Sequence, residues 1–217
     1  MKVLVIAPHP DDEVLGCGAT IKKHSNKGDE VYLCIVTKAY TPDWTQEFID
    51  NREKEIACVN KVLGIKKIFF LDLPTVKLDT VPQKKINDLI AECIDKLKPD
   101  TLYLPFEGDI NKDHKLVFNA SILAARSRIG SLVKKTLCYE VLSETEWGDI
   151  PFVPNLYIDI SEVLEYKLKA MSCYKSEIKN YPHPRSLESI KILAQKRGIE
   201  SGLKVAEAFI IIREIIK

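Results

Sequence analysis

Val3-Leu4-Val5-Ile6-Ala7-Pro8-His9-Pro10-Asp11-Asp12-Glu13 is an apolar run broken by two prolines and followed at once by an imidazole and three carboxylates. Its β-branched residues and its end at Pro8 and Pro10 read as a buried strand with a sharp exit. In an open α/β sheet such an exit lies at the carboxyl edge, where ligands bind. Three adjacent acids repel one another unless a cation or solvent screens them. An imidazole beside a carboxylate suits zinc, and an acid left off the metal can activate its water. A polar loop in which Asp11 or Asp12 caps the next helix is the simpler alternative. A cap, however, needs neither a histidine nor three acids. From a tight turn His9 and Asp12 can converge on one ion while Asp11 points to another side of it.

Outward from that stretch, strands and helices alternate. Val14 to Lys27 reads as a helix stopped at Gly28, its first turns kept small by Gly16, Cys17, Gly18 and Ala19. Glu30 to Thr37 is a second buried strand, and Gln46 to Leu63 a helix with Arg52 and Glu55 one turn apart. Lys67 to Leu71 is a third strand before the turn Asp72-Leu73-Pro74. Lys84 to Leu97 is a helix, and Thr101 to Leu104 a fourth strand. This alternation predicts a parallel sheet with helices on both faces. A second concentration of ligands follows the fourth strand, from Pro105 through Glu107, Asp109, Asn111 and Asp113 to His114, where a helix runs to Ala125. His114 is a natural third zinc ligand, and Asp113 could hold or tune an imidazole.

Thr136 to Leu142 and Asn155 to Ile160 read as further strands, and Ser161 to Tyr174 as a capped helix. Tyr181 to Ser186 is a proline-fixed loop carrying His183 and Arg185, suited either to connection alone or to binding an anion or sugar. Ser189 to Gly198 is helical, and Ile210-Ile211-Ile212 favour a closing strand over Ala206 to Ile212. No internal repeat or second domain is evident, so residues 1–217 read as one domain.

Composition narrows the function. Hydrophobic residues at 46% and charged residues at 29% are ordinary for a soluble globular chain. A formal net charge of +1 gives no electrostatic case for nucleic acid or an acidic membrane surface. No apolar run reaches membrane-spanning length. The six cysteines, none in a CxxC pair, read as reduced core thiols of a cytoplasmic protein. The expected partner is a small molecule, with a homo-oligomer left open.

Ala7-Pro8-His9-Pro10-Asp11-Asp12-Glu13 resembles the hallmark motif of the LmbE/PIG-L superfamily of zinc-dependent de-N-acetylases. Asp113-His114 at a helix start is similar to its second motif, and Arg52-Glu53 before a helix ending Leu63-Gly64 also fits. Tyr139-Glu140-Val141, His183-Pro184-Arg185-Ser186 and Ala206-Glu207-Ala208-Phe209 extend the likeness over nearly the whole chain. The resemblance implies a Rossmann-like three-layer sandwich, with a mostly parallel central sheet, that removes the acetyl group of an N-acetylated amino sugar. By position it makes His9, Asp12 and His114 the Zn2+ ligands and Asp11 the general base. Asp113 becomes an acid acting through a neighbouring imidazole, and Arg52 a substrate contact. One departure stands out: many members carry a histidine three residues before the third ligand, where this chain has Asn111. Asn111 can donate a hydrogen bond but cannot protonate a leaving amine. Either Asp11 makes both proton transfers or another group, His183 being the candidate, supplies the acid. Two other readings remain: a receiver-like magnesium-dependent phospho-acceptor built on Asp11, Asp12 and Asp72, and a catalytically silent sugar-binding relative.

Overall fold

The structure is a computed structural model that describes residues 1–126 and 133–216. Strand β1 (Lys2–Ala7) is fully buried from Val3 onward. Its side chains alternate, Val3, Val5 and Ala7 entering one apolar layer and Leu4 and Ile6 the other. A strand buried on both faces requires helices on both. On the first face, Leu15 of α1 (Asp12–Asn26), Val59 of α2 (Gln46–Leu63), Met171 of α5 (Leu164–Cys173) and Ile190 of α6 (Leu187–Ser201) complete the layer. On the second, Ile86 and Ile90 of α3 (Gln83–Leu97) and Val117 of α4 (Lys112–Ala125) do so.

The other strands are β2 (Glu30–Lys38), β3 (Lys67–Pro74), β4 (Thr101–Pro105), β5 (Lys135–Tyr139), β6 (Leu156–Asp159) and β7 (Ala206–Glu214). Among the described residues they form one sheet in the order β3-β2-β1-β4-β5-β7-β6. The pairings from β3 through β5 are parallel, and β7 runs antiparallel to both β5 and β6. The chain steps outward from β1 to β2 and β3, then returns to lay β4 on the other side of β1. The carboxyl ends of β1 and β4 therefore meet where the winding reverses, the place at which such sheets bind ligands.

Local departures from the sequence expectation have physical causes. Helix α1 begins at Asp12 rather than Val14, because the Asp11 carbonyl accepts the N–H groups of both Val14 and Leu15. Asp12 and Glu13 thus occupy the first turn, where the helix dipole favours acids. Strand β3 runs on through Asp72-Leu73-Pro74, since Leu73 and Pro74 pair with Thr37 and Lys38 across a register shift. Ser161 does not cap α5; it bonds Asp159 instead. The cysteine reading needs correction. Cys17, Cys34, Cys93 and Cys138 are free and buried, but Cys58 of α2 and Cys173 of α5 form a disulfide with Cα atoms 5.9 Å apart. These two face each other across packed helices, 115 residues apart in sequence, a proximity that spacing alone does not reveal. Among the described residues no helix is long and apolar enough to cross a membrane.

Helix α1 lies close against β5. A Cβ on Gly16 would stand 2.1 Å from Cδ2 of Tyr139, a fully buried ring whose hydroxyl donates to the Ile6 carbonyl at 2.7 Å. Neither partner can retreat cheaply. Gly16→Ala is expected to cost about 1–3 kcal/mol through overpacking, read as a Tm lower by several degrees; an unchanged Tm would show that the contact yields freely.

Candidate active site

Two loops at the reversal point build the site. The first leaves β1 through Pro8, whose carbonyl accepts from both the backbone N–H and the hydroxyl of Thr37 on β2. The chain then turns so sharply that Asp11 adopts φ 122°, a conformation that L side chains rarely adopt and that persists only when neighbours enforce it. Glu13 is one enforcer. Its Oε2 accepts the Asp11 N–H at 3.0 Å and its Oε1 accepts the Tyr174 hydroxyl at 2.6 Å, in full burial. Burial pushes the Glu13 carboxyl up to about 7 against the pull of these donors. The second loop leaves β4, and Asn111 caps α4 by accepting the Asp113 N–H at 3.0 Å.

Their meeting brings three donor atoms together. His9 Nδ1 lies 3.3 Å from His114 Nε2, and the Asp12 Oδ2 atom stands 3.4 Å from the first and 3.3 Å from the second. A tetrahedral ion with bonds of about 2.0–2.1 Å demands ligand separations of roughly 3.3–3.4 Å. The triangle therefore has the dimensions of one face of a zinc coordination sphere, and two imidazoles with a carboxylate are a donor set zinc accepts. Each imidazole is oriented from behind by an acid, as metal-binding histidines usually are. His9 Nε2 is 3.0 Å from Asp113, whose carboxylate also accepts from Val76 and Leu78 N–H groups. His114 Nδ1 is 2.7 Å from Asp109, which takes the Thr145 hydroxyl at 2.6 Å. Burial works to lower both imidazole pKa values, but the acids outweigh it. Asp113 and Asp12 raise His9 to about 9, and Asp12 and Asp109 raise His114 to about 10. Burial likewise opposes ionisation of Asp12, yet the two imidazoles hold it well below the usual carboxylate range. The pocket is built to hold positive charge.

Asp11 sits outside the triangle, buried, with Oδ2 3.1 Å from Arg185 Nη1. Burial and the Asp12 charge push its carboxyl well above the ordinary range, while Arg185 pulls the other way. It opens onto a cavity of about 630 Å³ that is also lined by His9, Asn111, Arg52, Arg185 and an apolar wall containing Trp44, Phe48 and Phe70. That volume is in the usual range for small-molecule sites. His183 does not reach this cavity. It is exposed, and its ring accepts the Arg185 N–H at 3.1 Å, so the tight turn from Asn180 to Ser186 directs Arg185 inward in its place. Sequence reasoning assigned no role to Asp109, Thr145, Glu13, Tyr174 or Glu177. Asp109, five residues before His114 in the same loop, carried the one usable signal.

A profile of the family described as PIG-L, GlcNAc-PI de-N-acetylase, matches residues 4–125. The chain belongs to the PIG-L family. Its relatives include the diacetylchitobiose deacetylase of Thermococcus kodakarensis, 29% identical over 95% of this chain and 81% of that one. A Bacillus subtilis relative named probable N-acetyl-alpha-D-glucosaminyl L-malate deacetylase 2 is 26% identical over 81% of this chain and 82% of its own. Among solved structures, the N,N'-diacetylchitobiose deacetylase of Pyrococcus horikoshii superposes with a TM-score of 0.77 at 26% identity, covering 97% of this chain and 83% of that one. A PIG-L fold with this donor triangle leaves the receiver-like reading without support.

Asp109→Ala is expected to weaken metal binding about 10- to 100-fold, measured by competition with a chromogenic chelator; undiminished affinity would deny Asp109 this role. Glu13→Gln keeps an acceptor for the Asp11 N–H and should retain most of kcat, whereas Glu13→Ala should lose at least about tenfold. Equal kcat in the two variants would separate Glu13 from the placement of Asp11.

Proposed function

We propose that this PIG-L protein is a zinc-dependent hydrolase that removes the N-acetyl group of an N-acetylated amino sugar. The observation that carries the reading is the juxtaposition of the donor triangle His9, Asp12 and His114 with Asp11 at the polar end of a ligand-sized cavity. A zinc ion held by those three residues would polarise the amide carbonyl and make water acidic enough to attack near neutral pH. Asp11 accepts the proton that the attacking water gives up. Its buried carboxylate, fixed by Arg185 at 3.1 Å, takes the role of proton carrier. With Asn111 in place of a histidine and His183 turned to solvent, Asp11 itself returns that proton to the departing amine, so that water and amide become acetate and free amino sugar. Asn111, in the cavity wall, would donate from its side-chain amide to the oxygen that gains charge. Asp113 and Asp109 orient the imidazoles, and Arg185 holds the Asp11 carboxylate through its guanidinium.

The names of the relatives support this class of reaction, and the two substrates named among them, a chitobiose and a glucosaminyl malate, share the N-acetylglucosaminyl group. The test is acetate release from a panel of N-acetylated amino sugars. Chelation should abolish release and zinc should restore it. Asp11→Asn should lower kcat by about 10²–10⁴-fold with metal retained. Acetate release indifferent to both treatments would overturn the mechanism.

A further inference from the structure

Both arginines of the cavity have every guanidinium nitrogen engaged by the protein itself. Arg52 directs Nη1 to the Pro10 carbonyl at 3.2 Å, Nη2 to Glu177 Oε1, and Nε toward Glu55 at 3.6 Å. Arg185 directs Nε to the Ser143 hydroxyl at 2.8 Å and Nη2 to Glu144 at 3.2 Å. Its Nη1 meets Asp11 at 3.1 Å and Glu177 Oε2 at 2.9 Å. Glu177 thus places one carboxylate oxygen on each guanidinium, the position an incoming carboxylate would take. Two positive charges here face four acids, Asp11, Glu55, Glu144 and Glu177, and still face three with Asp11 protonated. The cavity is also lined by Trp44, Phe48, Phe70 and Val76, and by Lys38, whose ammonium is itself paired with Glu53 at 3.3 Å.

We infer that Glu177 is a specificity-determining residue: by filling the anion position between Arg52 and Arg185, it restricts the cavity to amino sugars whose aglycone is uncharged. This inference rests on the deacetylase reading. A carboxylate on the aglycone would have to expel Glu177 and leave it unpaired among other acids, an exclusion by misplaced like charge. An uncharged aglycone, a second pyranose for instance, displaces nothing and can lay its C–H face on the aromatic wall. The relay also ties selection to chemistry, because the Arg185 nitrogen that binds Glu177 also binds Asp11.

The experiment compares two glucosaminides that differ only in the aglycone, one carrying a free carboxylate and the other its methyl ester. As deacetylated products they cannot turn over, so calorimetry on the protein as purified reads binding alone. Wild type is expected to bind the ester at least about tenfold more tightly than the acid. Glu177→Gln should reduce that preference severalfold or reverse it. The ratio of kcat/KM for the two N-acetylated forms should move in parallel. Equal binding of ester and acid by wild type would overturn the proposal even if the variant does not fold, and so would an unchanged preference in folded Glu177→Gln. Binding with the predicted preference, but no acetate release from the N-acetylated forms, would sink the deacetylase reading and leave the charge selection standing.

Discussion

Two imidazole nitrogens and a carboxylate oxygen, each within 3.4 Å of the others and nearly sealed from solvent, form an arrangement that only a shared positive charge makes favourable. The surrounding structure serves that arrangement. Asp113 and Asp109 fix the rings, backbone N–H groups and the Thr145 hydroxyl fix the acids, and Asn111 fixes the helix that carries Asp113 and His114. Concentrating so much buried negative charge is costly unless every oxygen is partnered. Removing one partner exposes the next, so the network is stiff as a unit.

The fold brings the two motif loops together without any long-range device. β1 and β4 are hydrogen-bonded neighbours, yet about a hundred residues separate them, because the chain builds β2 and β3 on one side before returning. The first loop delivers His9, Asp11 and Asp12, and the second delivers Asp109 and His114. A third contribution comes from the far end of the chain. Tyr174, Glu177 and Arg185, in and after the segment that ends α5, reach across to Glu13, Arg52 and Asp11. The Cys58–Cys173 disulfide ties α5 to α2 next to this crossing.

Legibility in the sequence followed the range of the interactions. The apolar run of β1, the alternation of strands with helices, and His9, Asp12 and His114 could be read because strand burial and metal preference are properties of residue type and local order. The isoleucines of β7 were enough to mark a strand, although its antiparallel pairing came only with the structure. What stayed hidden depended on distant partners. Nothing near Tyr174 or Glu177 announces that they complete the site, and Cys58 shows no local sign of Cys173. His183 illustrates the opposite error. Its chemistry suited an acid, but the geometry of its turn sends Arg185 inward and the imidazole out. Glu13 was visible as the third acid of its motif, yet its task, bracing the positive-φ backbone of Asp11, belongs to conformation rather than composition.

The measurement that bears most directly on the account is X-ray absorption at the zinc edge, with metal stoichiometry, on the protein as purified. The account predicts about one zinc per chain and a nitrogen and oxygen shell near 2.0–2.1 Å. It also predicts imidazole scattering from two histidines, lost in part in His114→Ala. A folded protein that takes up no zinc, or a zinc bound through sulfur with a spectrum indifferent to His114, would contradict it.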